Sequence, residues 1–399
     1  MKVGFFIQNS KRGGLDTFLI NLINNFGNKH QIFIFYNKHH KGLIDYKKKI
    51  NIDVKYIPYD CLLSQDIEKN KLRYLPLILK KILRYLLLIN SFTLRINYFK
   101  EIFSNINLDR LLIINGGYQG GESCNSALFA WKKYKPNHPA WYSFHNYVEQ
   151  NKNYIHFIEI FLRYVIDIKI SKSVAGFISV SNSCLRSLNQ KKVLSKNKKK
   201  VIYNGLSVEK KLLFKKKSTT KNIIMLAVYE ERKGFKYIID AFKILKKKIS
   251  NCKLYIYGDG NADEKSKIIN LIKKNNLIKS IILKKFEKNT EKIYNQADLV
   301  VIPSQYNESF GYVAIEAFDH KKPVIACKTG GLKEVIVDNF SGFLVNKNKP
   351  EDFSNKMYEV LTNNHLRKKL IKNGSHRLQK YFTAKKMANR YLELIINDR

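Results

Sequence analysis

Two glutamates eight residues apart are the clearest chemical signal in the chain. Glu308 lies in a loop after the apolar segment 297–302, and Glu316 lies in the helix that we expect to begin at 309–311. The free N–H groups at a helix start suit a phosphate, and a carboxylate farther along can accept hydrogen bonds from a ribose diol. Such a pair is usually a solvated helix face. We favour a ligand site because apolar residues surround Glu316, where an unpaired charge would be costly.

The elements that carry these glutamates are predicted to form a βαβ unit. Segments 297–302 and 324–327 are apolar runs between turn residues, which is typical of buried strands. The intervening helix has apolar residues at helical spacing, namely Val313, Ala314, Ala317 and Phe318. The loop that carries Glu308 therefore lies at the carboxyl edge of a parallel sheet, where open α/β sheets bind ligands.

An ordered series of motifs over about forty residues contains both glutamates. The motifs are Glu308-Ser309-Phe310-Gly311, Glu316-Ala317, Pro323-Val324-Ile325-Ala326, Gly330-Gly331-Leu332-Lys333-Glu334 and Gly342-Phe343-Leu344-Val345. The series closely resembles the nucleotide-sugar-binding half of family-4 retaining glycosyltransferases, which belong to the group 1 glycosyltransferases.

The resemblance implies an α/β protein with the GT-B fold, in which two Rossmann-like parallel-sheet domains face across a cleft. A length of 399 residues is enough for two domains that each bury a core. We expect an N-terminal acceptor-side domain over 1–205, a linker over 206–221 and a nucleotide-sugar-binding domain over 222–382. The helix over 383–399 could return to the first domain, as GT-B chains commonly do.

By the same resemblance, Lys233 contacts the donor diphosphate, where a cation opposes the charge on the leaving nucleotide. The family often has an arginine five residues earlier, but this chain has Val228, and Arg232 is the candidate substitute. The sequence contains no Asp-x-Asp pair for a divalent metal. We therefore expect no metal, and stabilisation by Lys233 with the backbone amides of Ser309, Phe310 and Gly311.

The other expected contacts are with the sugar, the base and the acceptor. A lone histidine is usually structural, but His145 follows a short strand and falls where the family has a histidine on the donor sugar. Glu308 would orient that sugar with it, as a nucleophile or as a positioning group. A glycine pair is often only a tight turn, but it also lets a ligand approach the backbone. The resemblance places four residues near the base pocket or near the phosphates and acceptor: Lys285 and Phe286, and Gly13 and Gly14.

The net charge of +41 is extreme. It has two explanations: a biased composition with a lysine-rich solvated surface, or attraction to an anionic membrane or a phosphate-bearing substrate. No nucleic-acid-binding module accompanies the charge, so we expect no nucleic-acid partner. Segment 66–103 carries an apolar stripe bordered by basic residues. Such a helix commonly packs on its own domain, and it can also lie on an anionic membrane.

Five isolated cysteines favour a reducing compartment. Segment 1–9 is predicted to be a strand rather than a secretory signal, and no apolar run reaches a membrane-spanning length. These features favour a cytoplasmic protein, with peripheral contact at the inner face of the membrane.

The expected function is retaining, metal-independent transfer of a sugar from a nucleotide-diphosphate sugar to a lipid-linked or surface-polysaccharide glycan, with no cofactor besides the donor. A nucleotide-sugar epimerase of the same fold is an alternative, against which the spacing of Glu308 and Glu316 argues. A non-catalytic basic binding protein is another, and Val228 is the only residue that favours it.

Overall fold

The computed structural model describes residues 1–9, 13–40, 42–60, 77–117, 121–148, 157–208, 219–287 and 289–397, without the side chains of 77–91, 157–159 and 397. The chain divides into two compact units. Unit 1 consists of Met1–Ile202 with Lys385–Arg399, and unit 2 consists of Tyr203–Ala384.

Unit 1 is built on a seven-stranded parallel sheet with the strand order β3-β2-β1-β4-β5-β6-β7. Its strands are β1 (Lys2–Gln8), β2 (Gln31–Asn37), β3 (Val54–Tyr59), β4 (Arg110–Asn115), β5 (Ala140–Phe144), β6 (Val174–Ser179) and β7 (Lys199–Val201). Its helices are α1 (Gly14–Asn24), α2 (Leu43–Lys49), α3 (Leu77–Ile106), α4 (Glu122–Tyr134), α5 (Phe157–Ser173) and α6 (Asn182–Asn189), with a 3-10 turn at Lys192–Leu194. The C-terminal helix, Ala384–Asn397, follows all the elements of unit 2 in sequence, and from Lys385 onward it belongs to unit 1.

The central strands of unit 1 are apolar on both faces, as expected of a parallel sheet covered by helices. Residues 3–7 of β1 and 111–115 of β4 are all buried. The strand order changes direction between these two strands, so that their carboxyl ends flank the topological switch point. The loops at this point begin at Asn9 after β1 and at Gly116 after β4.

Unit 2 is built on a six-stranded parallel sheet with the order β10-β9-β8-β11-β12-β13. Its strands are β8 (Lys221–Leu226), β9 (Cys252–Tyr257), β10 (Ile281–Lys284), β11 (Leu299–Ile302), β12 (Val324–Cys327) and β13 (Phe343–Val345). Its helices are α7 (Phe235–Lys248), α8 (Ala262–Lys274), α9 (Thr290–Asn295), α10 (Tyr312–Asp319), α11 (Leu332–Val335), α12 (Pro350–Thr362) and α13 (Asn364–Tyr381), with a 3-10 turn at Glu231–Lys233.

The predicted βαβ unit is confirmed as β11-α10-β12, with Val300 paired to Val324 in parallel register. The helix begins slightly later than the predicted start at 309–311. Of the predicted apolar positions, Ala314, Ala317 and Phe318 are buried with Ile315, whereas Val313 is only partly buried. The helix begins at Tyr312, so residues 314, 315, 317 and 318 form its inward stripe and Val313 lies beside it.

Part of the amphipathic segment 66–103 and most of the linker 206–221 lie outside the described residues. The apolar stripe predicted over 72–87 consists of side chains that are not described. From Leu77 onward the backbone is one helix, α3. None of the helices searched in the described part of the chain is both long and apolar enough to span a membrane.

Candidate functional site

A pocket opens in unit 2 at the carboxyl ends of β8 and β11. The space between its walls, including solvent at its open mouth, is about 280 Å³. Its walls include Ala227 after β8, Pro303 after β11, and the side chains of Lys233 and Glu308. The strand order changes direction between β8 and β11, so the pocket lies at the topological switch point, where doubly wound sheets bind ligands.

Lys233 and Glu308 form an ion pair in this pocket, with 2.7 Å between Lys233 Nζ and Glu308 Oε2. The hydroxyl of Ser304 donates a hydrogen bond of 2.9 Å to the same carboxylate oxygen. Burial alone would raise the pKa of Glu308. The Lys233 ammonium and the Ser304 hydroxyl outweigh that effect and hold the pKa below its ordinary value. The pocket therefore contains an ionised carboxylate and a cation at hydrogen-bond distance.

A backbone hydrogen bond joins the two loops that carry this pair. The backbone N–H of Gln305 donates to the carbonyl of Arg232 at 2.8 Å, joining the loop after β11 to the 3-10 turn after β8. Gly234 ends that turn with a φ of +77°, and a Cβ at this position would collide with the carbonyl oxygen of Pro303. Glycine is required here because the backbones pass too closely for any side chain.

Arg232 does not line the pocket in this structure. Its guanidinium lies 2.6 Å from the Glu230 carboxylate and 3.4 Å from the Asn307 carbonyl oxygen. The candidate substitute for the arginine missing at Val228 therefore contacts Glu230 and Asn307, and neither of these residues lines the pocket. Lys233 is the cation that lines the pocket.

Glu316 lies on α10, where its carboxylate accepts a hydrogen bond of 2.8 Å from the Tyr294 hydroxyl. The Tyr294 ring is fully buried and stacks on the His320 ring, with a centroid distance of 4.5 Å. Burial, together with the Glu316 charge, raises the pKa of Tyr294 well above its ordinary value, so the phenol stays protonated and continues to donate. The expectation that Glu316 is an unpaired charge in an apolar helix is wrong, because the Tyr294 hydroxyl donates to its carboxylate. Glu316 is not among the residues that line the pocket.

Residues 308–311, which precede α10, make close backbone contacts, and the side chain of Phe310 points into the protein. Phe310 is buried, and its ring lies 5.8 Å from that of Phe382, so its side chain belongs to the core of unit 2. The N–H of Gly331 donates to the Glu308 carbonyl at 2.7 Å, and a Cβ on Gly331 would lie 2.5 Å from the Ser309 carbonyl oxygen. Gly311 both precedes α10 and lines the pocket.

The two residues expected near the base lie farther away in the sheet. Lys285 and Phe286 follow β10, the edge strand, and both side chains are exposed. Neither lines the pocket.

In unit 1, His145 follows β5 directly, and its backbone N–H donates to the carbonyl of Asn115 at 3.1 Å. Its ring packs against Phe18 of α1 at a centroid distance of 4.1 Å, and its Nε2 lies 3.2 Å from Ser143 Oγ. Although part of the residue is accessible, desolvation lowers the pKa of His145 to about 3. The imidazole is therefore neutral at physiological pH.

Gly13 and Gly14 lie exposed at the start of α1, beyond the carboxyl end of β1. The N–H of Gly13 donates to Asp16 at 2.9 Å, and the buried Asp16 carboxylate also accepts a 2.6 Å hydrogen bond from Tyr46. His40 Nε2 lies 3.1 Å from the same carboxylate. Burial would raise the pKa of Asp16, but His40, Tyr46 and the Gly13 amide hold it below its ordinary value.

Sequence reasoning missed three of these supporting residues. Ser304 follows β11 two residues after its end, so its position in the Glu308 loop was a usable signal. Asp16 stands three residues after Gly13, which is the spacing of a helix-capping residue. No sequence signal indicated Tyr294. Among the residues that the structure describes, no three histidine, cysteine, aspartate or glutamate side chains come close enough together to hold a metal ion.

Residues 209–377 match the family model of group 1 glycosyl transferases. The chain is 35% identical over 188 residues to the uncharacterized glycosyltransferase MJ1178 of Methanocaldococcus jannaschii, covering 47% of this chain and 50% of that protein. It is 33% identical over 118 residues to the lipopolysaccharide 1,2-N-acetylglucosaminetransferase of Salmonella typhimurium, covering 28% of this chain and 31% of that protein. This chain thus spans half or less of the length of these curated relatives.

Two solved structures resemble the chain over nearly its whole length. A glycosyltransferase from Rickettsia africae has a TM-score of 0.75 at 18% identity, covering 100% of this chain and 98% of that one. Anabaena HepE in complex with UDP-glucose has a TM-score of 0.70 at 19% identity, covering 98% of each chain. At this level of identity the structures establish the fold alone. The chain therefore has two parallel-sheet α/β domains of the GT-B fold, and over residues 209–377 it is similar to group 1 glycosyl transferases.

Proposed function

We propose that the protein is a retaining, metal-independent glycosyltransferase of family 4, which transfers a sugar from a nucleotide-diphosphate sugar to an acceptor hydroxyl. The observation that carries the proposal is the Lys233–Glu308 ion pair. It lies in the switch-point pocket of unit 2, within the region that matches the group 1 family.

In this proposal, unit 2 binds the donor. Lys233 balances the charge that develops on the departing diphosphate. Glu316, held by Tyr294, accepts hydrogen bonds from the ribose, and Glu308 orients the sugar and stabilises its oxocarbenium-like transition state. The N–H groups at the start of α10 add to the phosphate site. No cofactor other than the donor takes part.

Unit 1 contributes acceptor-side groups in this proposal. Neutral His145 forms a hydrogen bond with the donor sugar. The exposed Gly13-Gly14 turn lets a ligand approach the start of α1. A glycan or lipid-linked acceptor is supported by the similarity to the Salmonella lipopolysaccharide enzyme. A nucleotide-sugar donor is supported by the similarity to HepE, which was solved with UDP-glucose.

The proposal includes peripheral contact with the inner face of an anionic membrane. Helix α5 exposes four large apolar side chains on successive turns, followed by two exposed lysines: Ile160, Phe161, Tyr164 and Val165, then Lys169 and Lys172. An apolar face beside cations suits anionic lipid. The Phe161→Ser/Tyr164→Ser variant should lose sedimentation with anionic vesicles, while Ile278→Ser, an exposed site of unit 2, should not. Equal sedimentation of the two variants would exclude α5 as the contact.

The donor site can be tested by thermal shift with UDP, GDP, ADP, CMP and their sugars, without metal. A ligand that binds the folded state raises Tm through linkage. We expect one nucleotide class to raise Tm in the wild type and not in Glu316→Ala, whereas Glu359→Ala, an exposed control in unit 2, should behave as the wild type. No shift with any nucleotide would refute the donor site. Turnover of the donor without an acceptor would indicate the epimerase.

A further inference from the structure

His145 stands at one end of a chain of three polar groups inside unit 1. Ser143 Oγ lies 3.2 Å from His145 Nε2 and 2.8 Å from the hydroxyl oxygen of Tyr391. Both Ser143 and Tyr391 are fully buried. Tyr391 lies on the C-terminal helix, 248 residues beyond Ser143 in sequence. The last helix of the chain therefore supplies a hydroxyl group two hydrogen bonds away from the candidate catalytic histidine.

The protons of these groups can be arranged in three ways. If His145 Nε2–H and Tyr391 both donated to Ser143, the buried Ser143 proton would have no acceptor. If Nε2–H donated to Ser143 and Ser143 donated to Tyr391, the Tyr391 proton would have none, because Ser143 is its only hydrogen-bond partner among the described residues. A buried polar hydrogen without a partner costs free energy.

The third arrangement gives every buried proton an acceptor. Tyr391 donates to Ser143, and Ser143 donates to His145 Nε2. A neutral imidazole that accepts at Nε2 carries its proton on Nδ1. The neutral state agrees with the depressed pKa of His145.

We propose that Tyr391 and Ser143 are positioning residues that hold His145 in its Nδ1–H tautomer, so that the ring presents an N–H donor to a sugar hydroxyl. The role of that donor rests on the proposed function, but the tautomer does not. Packing fixes the ring as well. Phe18 lies with its centroid 4.1 Å from the His145 ring and 5.5 Å from the Tyr391 ring. The histidine is therefore contacted by the apolar Phe18 ring and by the Ser143 hydroxyl, which Tyr391 holds in turn.

The tautomer can be measured directly by NMR. In the full chain labelled with 15N-histidine, long-range proton–nitrogen spectra distinguish a protonated ring nitrogen from an unprotonated one. A His145→Gln variant identifies the His145 signals by their loss. We expect Nδ1 to be protonated and Nε2 unprotonated in the wild type, and Ser143→Ala and Tyr391→Phe to shift the population toward Nε2–H. Nε2–H in the wild type would overturn the proposal, as would an unchanged His145 spectrum in both variants.

Tyr59→Phe is the matched control. Tyr59 is also fully buried in unit 1, and its hydroxyl donates to the Ile7 carbonyl at 2.8 Å, without a contact to His145. The His145 nitrogen signals should be unchanged in this variant. A change equal to that in Tyr391→Phe would mean that any lost buried hydroxyl perturbs the ring, and the proposal would fail.

Activity supplies the second readout once sugar transfer has been measured. Loss of one well-made hydrogen bond predicts a fall of about fivefold in kcat/KM for Tyr391→Phe and for Ser143→Ala. The double variant should fall no further, because both changes break the same chain. Multiplicative losses would contradict a shared action through His145. If no transfer is found while the spectra show the Nδ1–H tautomer, the proposed function fails and the positioning of His145 stands.

Discussion

The Lys233 ammonium and the Glu308 carboxylate are 75 residues apart in sequence and 2.7 Å apart in space. Their side chains are only 16% and 14% exposed, so the ion pair compensates two largely buried charges. The pair is therefore a stability element as well as the centre of the proposed donor site. A phosphate that binds Lys233 must share that cation with Glu308.

Lys233→Met should destabilise unit 2, because it removes the cation that is ion-paired with the buried Glu308 carboxylate. Removing one partner of a buried pair costs about 3 kcal/mol. The pKa of Glu308 is lower in the folded state than in the unfolded state. The ion pair therefore stabilises the protein at pH values above the unfolded-state pKa. That stabilisation is lost as the pH falls through the folded-state pKa. Denaturant unfolding should therefore show the full difference in unfolding free energy between variant and wild type at neutral pH. This difference should become smaller in acid.

The control for this change is Lys236→Met. It breaks an exposed ion pair with Asp240, one turn later in helix α7. Exposed pairs contribute little, so its unfolding free energy should change by less than about 0.5 kcal/mol. Lys233→Met/Glu308→Gln should recover part of the stability of the single variant. Equal stability of Lys233→Met and Lys236→Met would mean that the Lys233–Glu308 pair contributes no more to stability than an exposed pair.

Glu308→Gln should strengthen binding of the nucleoside diphosphate while lowering sugar transfer. The carboxylate competes with phosphate for Lys233, and two unit charges about 4 Å apart interact by about 1 kcal/mol even in water. We expect calorimetry to give an affinity for the accepted diphosphate about fivefold higher than that of the wild type. Glu264→Gln, which removes a carboxylate paired with Lys267 on the surface, should leave the affinity unchanged. A weaker affinity in Glu308→Gln would contradict this competition.

The sequence predicted the strand–loop–helix framework of this pocket because its signals are local. Apolar runs, glycine pairs and helical spacing placed Glu308 and Gly311 correctly at a sheet edge. The contacts that determine how the carboxylates behave are not local. Tyr294 reaches Glu316 from another helix, and neither residue has a sequence feature that indicates the pairing.

The same limit applies in unit 1. The strand before His145 was predictable from its apolar pattern. Its hydroxyl neighbour Tyr391 comes from a helix beyond the whole of unit 2. Phe310 shows how backbone and side chain can serve different ends, since its ring packs in the core whereas the predicted phosphate contact uses its backbone amide. A motif specifies a backbone path more reliably than it specifies which side chains face the ligand.

Tyr294→Phe should weaken nucleotide binding through Glu316. The substitution keeps the ring that stacks on His320 but removes the hydroxyl that holds the carboxylate. Losing one hydrogen bond predicts an affinity about fivefold lower. Tyr237→Phe is the matched control, because its buried hydroxyl donates to the carbonyls of Asn346 and Lys349. If both variants lose affinity equally, the effect comes from general loss of stability.

His145 should make the folded state less stable in mild acid. Its folded-state pKa is about 3, below its ordinary value of 6.5, so the unfolded chain binds a proton in mild acid that the folded chain does not. Stability is then complete above about pH 6.5 and falls as pH decreases, by about 2 kcal/mol at pH 5. Denaturant unfolding of His145→Gln should lose less stability over this range. Parallel curves for wild type and variant would mean that His145 titrates normally.

Glycine-to-alanine changes at Gly27, Gly234 and Gly13 separate steric effects on stability from effects on function. At Gly27, φ is +88° with open space around a Cβ, so alanine should cost about 1 kcal/mol of backbone strain. At Gly234 the strain adds to a collision with the Pro303 carbonyl oxygen, and the loss should exceed that at Gly27 by about 2 kcal/mol or more.

Gly13 is extended, with φ of 177°, and a Cβ there meets no atom within 4 Å. Alanine should therefore change the unfolding free energy by less than about 0.5 kcal/mol. If the turn admits a ligand to the start of α1, the same methyl group should nevertheless lower sugar transfer, because it occupies the space through which the ligand approaches the backbone. Transfer assays on Gly13→Ala should then show a loss in a protein as stable as the wild type. Full activity would mean that Gly13 is only a turn residue.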